Sequence, residues 1–287
     1  MADSLIDTSL LDLPLGLPGS GRQRYAAAMA MYQAGEISAE VLEVFRISSP
    51  RDGDDPAVLL AERGLPDPRA AAAITRLVAE IAIYVGKLSG PGIAEVSAGI
   101  AANRQGKMQP DRMYGSHTDP VWVLYMDAAL AALSRTHPTL ASALRAAMPY
   151  LPWQSFDGYP ADQIGQAFLD GNIFCTVVGE TGPIFAQGFD LGLFLIAPHL
   201  LYRDHHHKAP ELYAPLTGPH GWRFGPGQPL IVKPAHEPVW NEPNVPHLTK
   251  VGPLPFLSIF AWTDDVNDPA YVISASDWAE LEALRLG

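Results

Sequence analysis

The first half of the chain carries apolar residues at helical spacing. After Pro68 they recur three or four positions apart, which places them on one face of an α-helix. They are Ile74, Leu77, Val78, Ile81, Val85 and Leu88. Residues 118–120 supply a cap and first turn for a helix predicted to end at Ser134, because proline is favoured just inside a helix start. Another helix is predicted over residues 136–148.

The pattern changes near Trp153, where short apolar runs alternate with glycine and proline. Runs of this length that are rich in β-branched and aromatic residues predict β-strands. The predicted strands cover residues 172–178, 191–196, 211–216, 228–232 and 254–262. Strands at such regular intervals favour a sandwich or a barrel, and a terminal helix is predicted at 277–286. The sequence therefore predicts an α+β protein, with a helical region at residues 1–150 and a barrel at 151–287.

Composition narrows the classes of function. Of the 287 residues, 48% are hydrophobic and only 17% are charged, which indicates a globular protein. The net charge of −12 and the lack of a basic stretch argue against nucleic-acid binding. The first residues lack the features of a signal peptide, and no run approaches the ~20 apolar residues of a membrane span, so we expect a cytoplasmic protein. Cys175, the single cysteine, lies in a predicted buried strand and is expected to be a structural thiol.

A short motif in the second half is rich in metal-ligating side chains. His205, His207, Glu211 and Gly218 fit the pattern H-x-H-x3-E-x6-G. Residues two apart on a strand share a face, so the two histidines are predicted to project together, with Glu211 at the same parity. Two imidazoles and a carboxylate suit a divalent first-row metal. The alternative is a solvated histidine run that binds metal only by accident, but the strand-like alternation after the motif favours a built site.

Two further histidines are candidates for a fourth ligand. His236 lies between two prolines, and His247 precedes the apolar run that is predicted to form the last barrel strand. A catalytic metal is held by protein ligands on one side and keeps an open position for substrate or water. Spacing alone leaves both histidines open.

The motif resembles the first motif of the cupin superfamily, whose members are small double-stranded β-helix barrels. A longer set of segments resembles the cupin-type dimethylsulfoniopropionate lyases, and the DddL kind most of all. These segments are residues 153–160, Tyr202, the run 211–213, Pro246-His247, the run 255–257 and Trp262. The resemblance covers about residues 153–265. It implies one divalent ion (Zn, Fe, Mn or Ni) held by His205, His207, Glu211 and His247, with His247 preferred over His236.

The resemblance also implies an activity. Enzymes of this family cleave dimethylsulfoniopropionate, a small sulfonium carboxylate, to dimethyl sulfide and acrylate by β-elimination. Tyr213 matches the general base, and it shares the parity of Glu211. Tyr202 matches a residue that positions substrate, although its odd offset from His205 gives the opposite strand face unless the chain bends. A sulfonium group suits an aromatic wall, for which Trp222, Trp240 and Trp262 are candidates.

The match is incomplete, and other functions stay open. His199 stands where the usual first motif has glycine, and residues 243–246 replace the usual proline-glycine turn. A cupin oxygenase or isomerase acting on another small carboxylate would use the same ligands, and a non-catalytic barrel could hold a small ligand. In that case Tyr213 would be an ordinary packed aromatic residue of the barrel.

The remaining expectations concern the helical half and the other histidines. The helical half is predicted to pack on the barrel as a lid or to form a subunit contact, and a homodimer is a further expectation. His206 and His220 are predicted to lie at the surface. His117 and His137 are predicted to lie at helix ends.

Overall fold

The computed structural model describes residues 8–113, 120–156 and 158–287. The chain forms two compact units, which divide between Ala73 and Ile74. The change from helices to strands comes later, after residue 150 as predicted, so helices α5–α7 (within 93–147) belong to the same compact unit as the strands. The division into domains at 1–150 and 151–287 stays a prediction.

The first unit is helical. Its helices are α1 (Ser20–Gln33), α2 (Ala39–Ser48), α3 (Pro56–Glu62) and the beginning of α4 (Pro68–Val85). The Ser38 hydroxyl caps α2 by accepting a hydrogen bond from the Val41 amide, and the Asp55 carboxylate caps α3 in the same way. The buried core of this unit includes Leu11, Ala28, Val41, Val44, Phe45 and Leu60.

Helices also flank the strands of the second unit. They are α5 (Ile93–Asn103), α6 (Pro120–Ser134), α7 (Pro138–Ala147), the single turns α8 (Ala161–Ile164) and α9 (Gln166–Leu169), and α10 (Trp278–Ala283). The predicted apolar face of α4 is confirmed, since Ile74, Leu77 and Ile81 are fully buried. α6 ends at Ser134 as predicted, whereas its predicted cap at 118–119 lies outside the described residues. No helix among the described residues is both long enough and apolar enough to cross a membrane.

The strands of the second unit build two antiparallel sheets. They are β1 (Asn172–Val178), β2 (Asp190–Ile196), β3 (Leu201–His206), β4 (Glu211–Pro215), β5 (His220–Arg223), β6 (Ile231–Lys233), β7 (Val239–Asn241), β8 (His247–Lys250), β9 (Phe256–Trp262) and β10 (Tyr271–Val272). The first sheet has the order β1-β2-β9-β4-β7 and the second the order β10-β3-β8-β5-β6. Side chains from both sheets form one aromatic core, which includes Phe194, Tyr202, Tyr213, Trp222, Val239 and Phe256.

Several strand predictions are accurate. β1 has the predicted bounds, and β2, β4 and β9 differ from prediction by one or two residues at one end. β6 begins at Ile231 and not at residue 228. Cys175 is completely buried in β1, and burial raises the pKa of its thiol, as expected of a structural cysteine. The predicted α+β class with a β-rich second half is confirmed.

Candidate active site

A cavity of about 270 Å³ lies among the strands of the second unit. Eight of the seventeen residues that line it are Phe, Tyr or Trp, and they include Phe156, Tyr159, Phe174, Phe194, Phe260 and Trp262. His205, His207, Glu211, Tyr202 and Tyr213 line the same cavity. Every predicted site residue except His247 therefore faces one space.

The three histidines of the predicted ligand set, here called the histidine triad, meet at the end of β3. His205 lies in β3, His207 follows that strand, and His247 begins β8 as the direct cross-strand partner of His205. One imidazole nitrogen from each ring lies within 4.8 Å of the other two. The three residues are only 1–3% exposed, so the alternative of a solvated histidine run is wrong.

The backbone fixes the tautomer of each histidine in the triad. Each Nδ1 lies 2.8–3.0 Å from a carbonyl oxygen two residues away in the chain, on Arg203, Ala209 and Val245 respectively. A carbonyl only accepts hydrogen bonds, so each Nδ1 must carry the proton and each Nε2 must present a lone pair. The Nε2 of His247 is buried and has no hydrogen-bond partner among the described residues. Histidines oriented in this way fit a metal ion.

Glu211 adjoins the triad from the other sheet. Its Oε2 lies 3.2 Å from His207 Nε2 and 3.5 Å from His247 Nε2. Ligand atoms around one tetrahedral ion are separated by roughly 3.3–3.5 Å, so these distances suit a shared ion. Trp262 Nε1 donates to Oε1 at 2.8 Å and Asn241 Nδ2 donates to Oε2 at 2.8 Å, which holds the carboxylate in place. Between His207 and Glu211 the chain passes from β3 in one sheet to β4 in the other. This turn, together with strand parity, brings the Glu211 carboxylate to the histidines.

Charges in the site follow from burial and mutual contact. Burial, together with the neighbouring His247 and His207, holds the pKa of His205 well below its usual value. Burial also disfavours the charged form of His207, but the Glu211 carboxylate outweighs it and raises the His207 pKa. Burial alone would raise the pKa of Glu211, yet the histidines keep it well below the ordinary value. The site therefore offers an ionised carboxylate beside imidazoles.

A β-bulge brings Tyr202 to the face of the triad. Tyr202 pairs with Thr249 and His205 with His247, so β3 uses three steps where β8 uses two. The rings of Tyr202 and His205 consequently stack with centroids 3.9 Å apart. Strand parity predicted opposite faces unless the chain bends, and the bulge is that bend. The Tyr202 hydroxyl lies 3.0 Å from the Tyr159 hydroxyl, which also faces the cavity.

Asp204, inside the bulge, anchors it to α10. The Asp204 carboxylate is fully buried and accepts hydrogen bonds from the Arg223 guanidinium and, at 2.8 Å, from Trp278 Nε1. The Asp204 carbonyl accepts the Ile273 amide at 2.8 Å. A buried pair of this kind is costly to break, because a lost partner leaves an uncompensated charge.

Tyr213 lies in β4 two residues after Glu211, and both face the cavity as parity predicted. Its ring packs 5.7 Å from those of Trp222 and Phe256. Burial and then the charge of Glu211 raise the pKa of Tyr213 well above the usual value. Without a compensating positive charge, Tyr213 is therefore protonated at neutral pH.

His236 lies outside the triad, in a second cluster with Tyr84, Thr136 and His137. Its Nδ1 is 3.0 Å from the Tyr84 hydroxyl and its Nε2 is 3.0 Å from Thr136 Oγ1. The His137 and His236 rings are 4.4 Å apart. His137 is the N-cap residue of α7, as predicted for a helix end, and His117 lies outside the described residues.

The surface prediction for His220 is wrong. His220 is 1% exposed in β5, where its Nδ1 accepts the Gly252 amide and burial lowers its pKa to about 3. The sequence predicted no strand there, and β5 carries this side chain into the interior. His206 is half-buried, with its ring 5.7 Å from that of Tyr271.

The three tryptophan candidates have different positions. Trp262 lines the cavity, whereas Trp222 is 1% exposed beneath Tyr213. Trp240 packs so closely on Gly92, at the start of α5, that a β-carbon there would lie 1.9 Å from the indole ring. Of the three, Trp262 is placed to contact a ligand.

Sequence reasoning missed several residues of the site. Asn241 is separated from Glu211 by 30 positions, and only strand pairing between β4 and β7 brings them together. Asp190 and Tyr159 also face the cavity. Tyr159 belongs to a segment that carried the family resemblance, which was the one available signal; for Asn241 and Asp190 no local pattern gave one.

A family model for dimethylsulfoniopropionate lyases matches residues 95–258, more than half of the chain. The chain belongs to this family. Helices α6 and α7, strands β1–β8 and all but the first two residues of α5 fall within the match.

Two curated relatives are similar to part of the chain. The putative dimethylsulfoniopropionate lyase DddL of Cereibacter sphaeroides is 29% identical over 140 residues, which cover 46% of this chain and 55% of that protein. The dimethylsulfoniopropionate lyase DddQ of Ruegeria pomeroyi is 25% identical over 109 residues, which cover 38% and 54%. The chain thus spans about half the length of the curated relatives it matches.

A solved structure shares the fold. A crystal structure from a study of the lyases RdDddP and RnDddQII has a TM-score of 0.51 and 20% sequence identity, and it covers 71% of this chain and all of its own. Together with the family match, this likeness confirms the predicted cupin-type fold.

Proposed function

We propose that this protein is a metal-dependent dimethylsulfoniopropionate lyase that releases dimethyl sulfide and acrylate by β-elimination. The observation that carries the proposal is the convergence of the three histidines of the triad beside Glu211, at a cavity that Tyr213 and Tyr202 also line. Family membership supports the same reaction.

The carboxylate end of the substrate needs a positive charge. No lysine or arginine lines the cavity in the part of the chain that the structure describes. A divalent ion held by the triad and Glu211 would supply charge against the substrate carboxylate and stabilise the negative charge that builds there during proton removal. Asn241 and Trp262 keep Glu211 oriented for this role through their hydrogen bonds.

Tyr213 is the proposed general base. Its phenolate oxygen takes the proton from the carbon next to the carboxylate, and the electron pair of that carbon–hydrogen bond forms the double bond of acrylate. The carbon–sulfur bond breaks, and the electron pair of that bond leaves with dimethyl sulfide. The negative charge of Glu211 helps to keep the pKa of Tyr213 high, so balancing that charge favours the phenolate. Tyr202, held by Tyr159 and stacked on His205, is proposed to position the substrate.

The rest of the cavity suits the sulfonium end. Dimethylsulfonium is a cation without hydrogen-bond donors, and aromatic faces attract such cations. Phe156, Phe174, Phe260 and Trp262 supply these faces. A cavity of about 270 Å³ is ample for a substrate of this size.

The test is headspace detection of dimethyl sulfide from purified protein and dimethylsulfoniopropionate. We expect release that a chelator abolishes and that one of Zn²⁺, Fe²⁺, Mn²⁺ or Ni²⁺ restores, with an equal rate under anaerobic conditions. Oxygen dependence would favour an oxygenase. Metal binding without any dimethyl sulfide, with all four metals, would contradict the proposal.

A further inference from the structure

Asp190 is an acidic residue of the cavity wall to which the proposed reaction assigns no role. It is the first residue of β2 and pairs across β9 with Trp262, which in turn pairs with Glu211 of β4. The three residues form one row across the sheet, and all three line the cavity. Neighbouring strands are about 4.8 Å apart, so the backbones of Asp190 and Glu211 are separated by about 10 Å.

The Asp190 carboxylate has no cationic partner in the part of the chain that the structure describes. Among the described residues, no lysine, arginine or histidine forms an ion pair with it. Burial and the nearby Glu180 charge raise the pKa of Asp190 to about 6. The carboxylate is therefore ionised above that pH but destabilised, which is the condition that a bound cation would relieve.

The backbone makes room for this side chain. A β-carbon on Gly179 would lie 2.1 Å from Asp190 Oδ1, and the φ of Gly179 is +157°. The carboxylate thus occupies space that only glycine leaves free. Thr176, Thr181 and Phe260 line the cavity with Asp190, so this part of the wall combines a negative charge with an aromatic face.

We propose that Asp190 binds the cationic end of the substrate, so that the cavity selects short zwitterions with a carboxylate at the triad and an onium group at Asp190. This inference rests on the proposed function. Trp262 lies between the two ends, and the short propionate chain of the substrate bridges the distance between them. Asp190 is in this view a specificity residue that does not take part in proton transfer.

The test compares the substrate with an uncharged isostere. In 4-methylpentanoate a carbon atom replaces the sulfonium sulfur, so shape and carboxylate are kept while the positive charge is lost. For Asp190→Asn we expect the KM for dimethylsulfoniopropionate to rise about tenfold, which corresponds to about 1.4 kcal/mol, with kcat within about threefold of the parent. The inhibition constant of 4-methylpentanoate should stay the same or fall. Asp162→Asn, the same change at an exposed position, should alter none of these values.

Two results would overturn the inference. One is equal weakening of both compounds, and the other is a loss of kcat with unchanged KM. Thermal melting checks that the variant is folded, and Asp190→Ser provides a second neutral replacement.

The inference can fail separately from the proposed function. If the metal-loaded parent releases no dimethyl sulfide, calorimetric binding of the two compounds still tests it. The inference is supported if the parent binds dimethylsulfoniopropionate more tightly than 4-methylpentanoate and Asp190→Asn abolishes that preference. It is refuted if the parent shows no such preference.

Discussion

The second unit contains two histidine clusters with opposite hydrogen-bonding patterns. In the triad, each Nδ1 donates to a backbone carbonyl and each Nε2 is left to bind something else. In the second cluster, both nitrogens of His236 are engaged, one by Tyr84 and the other by Thr136. Thr136 can donate its own hydroxyl proton to the Leu133 carbonyl, so it accepts from His236 and leaves Tyr84 to donate to Nδ1.

This difference distinguishes a candidate metal site from a group of histidines that only lie close together. Proximity is similar in both clusters, since ring centroids are 4.2 Å apart for His205 and His247 and 4.4 Å apart for His137 and His236. The triad has a buried carboxylate beside His247 Nε2, which has no hydrogen-bond partner among the described residues. In the second cluster both nitrogens of His236 bond to hydroxyl groups, and the buried nitrogen of that cluster without a partner in the described part of the chain is His137 Nδ1. We therefore expect metal at the triad alone.

The largest expected effect comes from removing one histidine from each cluster. His247→Ala should reduce bound metal from about one ion per chain to almost none, and abolish dimethyl sulfide release, because one ligand and its backbone support are lost. His236→Ala should keep both. Elemental analysis of the purified variants measures the metal, and the reverse pattern would move the fourth ligand to His236.

One tyrosine near each histidine cluster gives the next comparison. Tyr213→Phe should retain the metal and slow dimethyl sulfide release about 10²–10⁴-fold, because the variant lacks the proposed general base. Tyr84→Phe makes the same substitution in the second cluster, where it removes the Tyr84 hydroxyl, and should leave the rate of dimethyl sulfide release unchanged. Headspace assays at matched metal content measure both, and an unaltered rate in Tyr213→Phe would remove it from the base role.

A smaller effect is expected from removing a residue that holds the Glu211 carboxylate in place. Asn241→Ala removes a hydrogen bond to Glu211 and should weaken metal affinity by about 10–100-fold. The matched variant Thr136→Ala removes a hydrogen bond to His236 and should not alter it. Titration against a competing chelator gives the affinities. Equal affinity in parent and Asn241→Ala would mean that Glu211 holds its position without this residue.

The smallest expected effect concerns acid stability of the second cluster. Burial lowers the pKa of both His137 and His236, with additional repulsion from Lys87 at His137 and from His137 at His236. The fold thus favours their neutral forms, and the stability they contribute is present above their ordinary pKa of 6.5 and is lost as the pH falls below it.

This acid effect is measurable in the metal-free protein, where ion release does not contribute. The melting temperature should fall between pH 7 and pH 5, and His236→Asn should reduce that fall by about 1–3 °C. An identical fall in the variant would show that these histidines do not govern acid stability.

Local patterns predicted part of the fold and site. The period of α4 and the apolar run of β1 were sufficient to locate both elements, and parity placed Tyr213 beside Glu211. The bulge that turns Tyr202 toward His205 depends on pairing with β8 and leaves no mark in the sequence of β3. Strands of three or four residues, such as β5 and β7, are too short to show a period, which is why His220 and Asn241 were misplaced or missed.

The anchoring of Asp204 connects α10 to the candidate site. Trp278 grips the residue that precedes His205, and Arg223 holds the same carboxylate from β5. Deleting residues 277–287, or crowding them with a fused tag, would remove the Trp278 hydrogen bond and leave the Asp204 carboxylate to Arg223, so the bulge of β3 would lose part of its support. The stacking of Tyr202 on His205 would then be weakened although neither residue had been altered. An assay on a truncated or tagged preparation would therefore give a lower lyase rate than an assay on the chain described above.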